Sequence, residues 1–451
     1  MRSVLPELRP HATGFMTGTR WLVGTGLLAA AAGLTVGAGA YLLLFAAALL
    51  VALAVITTRD HGFCLVLIGV ALCTVSAIRL GPLTPADVFL LPAAMIAVIL
   101  LARQSSLPHW WSFPLVGIFL VGVISILAVP SPAKSPFELL QFVGLTGVVP
   151  LVIAAQATSE RRRYLLAGAF VLSAVVNGIF GILDATGISD VARTLTDFQG
   201  IGGRVTGLSS HSNLLGLSSA MAAPFAIYLA RQRRLWLMTV PVLVVGTLVS
   251  GSRSGLVAFG VGVLFATVLS RRGALRAVVA VAAGTLALYV ADRFGYTVGL
   301  DRLLDGEANT VVSDAARADL ARLALQDILD HPLAGVGFSA DHRAHSFYLE
   351  LARSGGLVSL ALYLWLAAGV VLTGWKRRAD ELMAASTASF MAFLIVAVQH
   401  NTLYDRFLFV PLGFIVAAAI NQRLAAHDVA NQPSEPASLS GITGVPKLRH
   451  S

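Results

Sequence analysis

The sequence predicts an all-α protein: a polytopic membrane helix bundle of about 14 (12–14) transmembrane helices, with one long extracytoplasmic loop containing short helices. Three observations lead there: an excess of apolar residues, their recurrence in long runs, and the segregation of cations between those runs. Hydrophobic residues fill 57% of the 451 positions and charged residues only 12%. A soluble globular chain carries roughly 25% charged residues.

The apolar runs lie near 21–39, 41–57, 62–78, 85–102, 111–129, 138–156, 164–184, 209–230, 235–250, 254–270, 273–291, 346–373, 383–400 and 404–421. About 20 apolar residues match the roughly 30 Å hydrocarbon thickness of a bilayer. The first run is long, is followed at once by another and lacks the cleavage context of a signal peptide.

Positive charge sets the expected orientation, because cytoplasmic connections accumulate Lys and Arg. With the N-terminus inside, Arg59, Arg103, Arg161 to Arg163, Arg231, Arg233, Arg234, Arg271, Arg272, Arg276 and Lys376 to Arg378 all fall on one side. Together with the two tails, that side holds 20 of the 32 Lys and Arg. The expected organisation is a cytoplasmic tail at 1–20, one membrane-embedded domain at 21–426 with an extracytoplasmic loop at 292–345, and a disordered cytoplasmic tail at 427–451. The net charge of +9 then serves topology and contact with anionic lipid, and argues against a nucleic-acid partner. Cys64 and Cys73 sit too far apart along one helix to bridge and read as packing residues.

On this topology the polar-rich connections share the external face: "GGRVTGLSSHSNLLG" (202–216), "SGSRSG" (250–255), the end of the long loop, "ADHRAH", and "QHNTLYDR" (399–406). In "SGSRSG", Arg253 is either an interfacial arginine snorkelling to lipid phosphate or a guanidinium that clamps an anion. The loop segment "SDAARADLARLALQDILDHPLAGVG" predicts a helix over 314–330, stopped before Pro332, Gly335 and Gly337. On that helix Arg317 shares a side with Leu320, Ala324 and Ile328, whereas Arg322 points away. Arg317 is thus either half of an ion pair with Asp314 or Asp327 or an arginine aimed into a cavity. His345 precedes "SFYLELARSGGLVSLALYLWL" and is either a structural cap or a group that exchanges protons near neutral pH. A zinc site built from Asp341, His342 and His345, with His331, is a weaker alternative on this spacing.

The ordered series "RVTGLSSHSNLLG", "SGSRSGLVA", Arg317 ahead of "ILDHPLAGVGFS", and "AHSFYLELARSGGLVSL" resembles the O-antigen ligase and polymerase superfamily of bacterial polytopic membrane glycosyltransferases. The resemblance covers about 202–365. It implies transfer of a glycan from a polyprenyl pyrophosphate to a glycan, lipid or protein hydroxyl at the outer face of the cytoplasmic membrane, without nucleotide sugar, metal or other cofactor. It implies His345 as general base and Arg253, Arg317 and Arg204 as pyrophosphate-binding residues. Ser346 stands where the family commonly has Asn, and "HSN" stands where Pro-Asn is frequent, which adds His211 and its neighbour Asn213 as candidates. His400 is a further candidate on the same face. The sequence has no Asp-x-Asp motif, so arginines would carry the leaving-group charge that many nucleotide-sugar enzymes give to a metal. The alternative reading is a secondary transporter or a flippase of lipid-linked glycan, which needs ionisable or broken-helix elements near the midplane.

Overall fold

The computed structural model describes residues 60–79, 83–102, 107–128, 136–189, 194, 204–269, 308–339 and 344–430. The runs expected at 21–39, 41–57 and 273–291, the tail 1–20, and Asp341 and His342 lie outside the described residues. The regular elements among the described residues are helical. They are α1 (His61–Ala71), α2 (Pro85–Ala102), α3 (His109–Ala128), α4 (Pro136–Gln156), α5 (Glu160–Ala185), α6 (Ser212–Leu229), α7 (Thr239–Val249), α8 (Arg253–Leu269), α9 (Ala308–Asp330), α10 (Phe347–Lys376), α11 (Glu381–Val396) and α12 (Val410–Ala430). Short 3-10 turns at Arg234–Met238 and Arg406–Phe409 lead into α7 and α12.

Among the described residues, five helices are long and apolar enough to cross a membrane: α3, α4, α5, α6 and α10. Their outward faces carry Phe113, Leu120 and Leu127 on α3, Leu172 on α5 and Trp365 on α10, all exposed. Such a surface suits hydrocarbon. By contrast α6 is central, with 83% of its apolar window buried. It packs between α5, α7, α8 and α11. Its small residues let helices close up: a Cβ on Gly255 of α8 would lie 2.9 Å from the Cα of Gly216 on α6.

Four segments depart from the sequence expectation. The run at 62–78 is helical only through Ala71, because Thr74 turns away to share a hydroxyl contact with Ser173 at 2.8 Å. The Ser76 and Ala77 N–H groups then donate to the Leu208 carbonyl at 3.1 and 3.0 Å. Within α4, Gly144–Val148 forms a π-helical turn. Pro150 follows it and has no N–H for the regular ladder. At the C-terminus, α12 continues through Ala430, past the 427 boundary of the expected disordered tail.

The largest departure is in α10, broken at Gly356 by left-handed backbone (φ 69°). The segment after α9 docks on the break: Val336 N–H donates to the Arg353 carbonyl at 2.8 Å, Gly337 N–H to the Ser354 carbonyl at 3.0 Å, and Leu357 N–H to the Pro332 carbonyl at 2.8 Å. The approach needs glycine, since a Cβ on Gly356 would meet the Leu333 carbonyl oxygen at 2.1 Å. Phe347 anchors the first half of α10 by packing on Tyr363 at 4.7 Å, Phe393 at 5.5 Å and Phe142 at 6.3 Å between ring centroids.

Among the described residues, four of the connections that the charge pattern assigned to one side meet at one end of the bundle. Arg163 pairs with Asp380 at 3.8 Å, Arg231 with Glu381, and Arg162 with Asp60. Trp236 Nε1 donates to the Tyr164 hydroxyl at 2.8 Å at the same end.

Candidate functional site

The segment from Arg204 to the start of α6 is held by Asn177, a fully buried residue of α5. Its Oδ1 accepts the Leu208 N–H at 2.7 Å and its Nδ2 donates to the Ser209 hydroxyl at 2.7 Å. Asn177 is thus a clamp for this segment.

At the helix start, His211 is the N-cap of α6, and its Nδ1 accepts the Asn213 N–H at 3.1 Å. That bond requires Nδ1 to be unprotonated, which places the proton of the neutral ring on Nε2. Arg204 reaches the same turn, donating from Nη2 to Asn213 Oδ1 at 2.6 Å and from Nε to the Ser250 carbonyl at 3.2 Å. It therefore ties the start of α6 to the "SGSRSG" turn.

In that turn Gly251 takes left-handed backbone (φ 59°), and a Cβ there would press to 2.9 Å from Arg204 Cγ. Ser252 caps α8 by accepting the Gly255 N–H at 3.0 Å. Arg253 is consequently the first residue of α8 and is half-buried. A cation at a helix N-terminus opposes the macrodipole, and Arg204 has the same relation to α6. Backbone N–H groups and guanidinium groups at these two ends favour an anion between them.

Arg317 lies on the inward face of α9 with Ala324 and Ile328, both buried, while Arg322 points out and pairs with Asp319 at 3.0 Å. The expected face is therefore observed. Asp327, one of two partners considered for Arg317, is bonded instead by Arg353 Nε at 2.7 Å.

His345 is exposed at the mouth of α10, followed by Ser346, whose hydroxyl caps the helix by accepting the Leu349 N–H at 3.4 Å. Ser346 thus fills the place where the resemblance expects Asn. The backbone just before His345 is fixed by Glu350, which accepts the Ala344 N–H at 2.6 Å. Phe347 N–H donates to the Ala397 and His400 carbonyls at 2.9 and 3.1 Å, which joins this segment to the turn after α11.

Electrostatics draws these pieces into one cluster. Burial, then the positive charges of Arg204, His345 and Arg317, push the His211 pKa down to about 4. Burial, then His211, His345, Arg317 and Arg204, push His400 down to about 3. Burial, then Arg317, lower His345 from its ordinary value. Arginines and histidines act on this group and the pKa of each imidazole is lowered, so all three are neutral near pH 7 beside fixed cations. Of the three, His345 is the exposed one.

The structure brings Arg204, Asn213, His211, His345, His400 and Arg317 together and places Arg253 in the turn that Arg204 grips. His342 and Asp341 lie outside the described residues. Two supporting networks escaped the sequence reading. Arg353 donates to Glu350 at 3.3 Å and to Asp327, bracing the α10 break. Arg406 grips Asp87 with Nε at 3.0 Å from Oδ1 and Nη2 at 2.5 Å from Oδ2, and anchors the 399–406 segment to α2. Charged residues inside apolar runs were the available signal. Comparison with known protein families finds no matching model, and comparison with curated proteins finds no match.

Proposed function

We propose that this chain is a bacterial membrane glycosyltransferase that moves a glycan from a polyprenyl pyrophosphate to an acceptor hydroxyl at the outer face of the cytoplasmic membrane. The observation that carries this reading is the gathering of Arg204, at the N-terminus of α6, and Arg317 with neutral histidines in one cluster, with Arg253 in the turn that Arg204 grips. Arginines suit a pyrophosphate leaving group, and a neutral, reachable imidazole suits a general base.

In this mechanism the acceptor oxygen attacks the anomeric carbon while His345 takes the hydroxyl proton. The bond from the anomeric carbon to the pyrophosphate oxygen breaks, and the electron pair leaves with the polyprenyl pyrophosphate. Arg204, Arg253 and Arg317 balance that charge with paired donors, in the manner a metal ion balances it elsewhere. Direct attack inverts the anomeric centre. Surface-polysaccharide polymerisation and ligation to a lipid or protein share this donor chemistry and differ in acceptor.

Among the described residues, the broken α10 is a feature that favours transport instead. Its opened carbonyls, however, are already bonded by Val336 and Gly337, and the Ser125 hydroxyl also donates to the Ser354 carbonyl at 3.3 Å. The test is transfer between added lipid-linked donor and acceptor by detergent-purified protein, with and without excess chelator. Transfer in both conditions is expected. Loss in chelator with recovery on added zinc or magnesium would replace the arginine mechanism with a metal one, and absence of transfer alongside donor movement in sealed vesicles would favour the transporter.

A further inference from the structure

The turn after α11 carries two polar atoms that the transfer chemistry does not use. His400 Nε2 and Thr402 Oγ1 are buried and have no hydrogen-bond partner among the described residues. His400 is 9% exposed and Thr402 1%. Ser212 Oγ, next to His211, is in the same condition. Buried polar groups are nearly always satisfied by protein, water or ligand, and these three belong to segments that meet at the cationic cluster, where a bound donor can supply their partners.

The neighbourhood is that of the cationic cluster, since His400 feels His211, His345, Arg317 and Arg204, while its carbonyl accepts the Phe347 N–H. The chemistry of the orphaned atoms differs from that of the cations beside them. A neutral imidazole and two hydroxyls offer donors and acceptors without charge. Phosphate oxygens are matched by guanidinium groups, whereas sugar hydroxyls are matched by uncharged groups of this kind.

We propose that His400 and Thr402, with Ser212, form a subsite that hydrogen-bonds hydroxyls of the sugar attached to the pyrophosphate. This rests on the glycan-transfer reading above. It divides the donor between two sets of residues: arginines hold the pyrophosphate, and the turn after α11 distinguishes a glycan-bearing lipid from a bare one.

The experiment measures binding of two probes to the full-length protein in detergent: polyprenyl pyrophosphate without sugar, and the same lipid bearing one glycan repeat isolated from native membranes. The wild-type protein is expected to prefer the glycan-bearing lipid. His400→Phe should remove about tenfold of that preference and Thr402→Val about threefold, the size of lost single hydrogen bonds, with the bare lipid bound as before. His400→Gln, which keeps an uncharged donor and acceptor, should retain most of it. Thermal stability in detergent identifies a His400→Phe protein that fails to fold, in which case Thr402→Val, close in shape to the native residue, decides alone. An unchanged preference in folded variants, or no preference in the wild type, overturns the subsite and leaves the arginine site standing. Failure of the wild type to bind either lipid overturns the functional reading, and the subsite with it.

Discussion

Arg204 donates from Nη2 to Asn213 Oδ1 at 2.6 Å, and the same asparagine donates its backbone N–H to His211 Nδ1 at 3.1 Å. One residue thus orients a cation and an imidazole at the N-terminus of α6. Asn213→Asp separates the structural and functional consequences of this arrangement. A carboxylate there favours the helix dipole and pairs with Arg204, so thermal stability should hold or rise. The paired Arg204 is lost to the leaving group, so KM for the lipid-linked donor should rise about tenfold. Unchanged KM in the variant would reduce Arg204 to a strut between α6 and the "SGSRSG" turn.

Arg253→Lys and Arg317→Lys test whether charge alone suffices. Both keep the cation but replace a planar fork with a point charge, so each should lower kcat/KM by on the order of 100-fold. The loss should appear in steady-state transfer with expression and detergent stability unchanged. Wild-type rates in both would make these residues membrane or loop anchors.

Acid stability follows from the buried histidines. His211 and His400 titrate at about 4 and about 3 in the folded chain, below the ordinary 6.5 they have when unfolded. Between those values the unfolded chain binds more protons, so the stability due to neutral burial is present above about 6.5 and is lost as pH falls toward 3. The melting temperature in detergent should be flat near neutrality and drop on acidification. His400→Gln, which cannot titrate, should make that drop shallower. An equal acid slope in variant and wild type would show that His400 is not buried in the folded protein.

The helical class and the positions of several helices were legible because a 20-residue apolar run has few other uses. The run at 85–102 coincides with α2, and that at 254–270 with α8 within one residue at each end. The side of α9 that carries Arg317 was legible from its 3.6-residue period, since Ala324 and Ile328 are the buried neighbours expected. What stayed hidden depends on long-range pairing. Nothing local to "ELARSGG" says that Gly356 breaks the helix, because the break is stabilised by Val336 and Gly337, which lie elsewhere in the chain. Nor does either residue of the Asp87 and Arg406 pair announce its partner 319 positions away. The role of His211 as a cap likewise appears only once its ring is seen against the Asn213 N–H.

His345 carries the most decisive prediction. His345→Ala should lower transfer by about 100-fold or more while leaving binding of the lipid-linked donor nearly intact, because the arginines hold the pyrophosphate and the imidazole acts only on the acceptor proton. His342→Ala should be much milder. The pH profile supplies the check that a purely structural histidine would not pass. Burial and Arg317 both lower the His345 pKa, so the wild-type acid limb should lie below the ordinary histidine value of 6.5. Arg317→Gln removes one of these causes, so its residual activity should show an acid limb displaced upward toward 6.5. Loss of rate without displacement of the limb would separate Arg317 from His345 electrostatically, and near-normal turnover by a well-folded His345→Ala protein would remove the histidine from the mechanism.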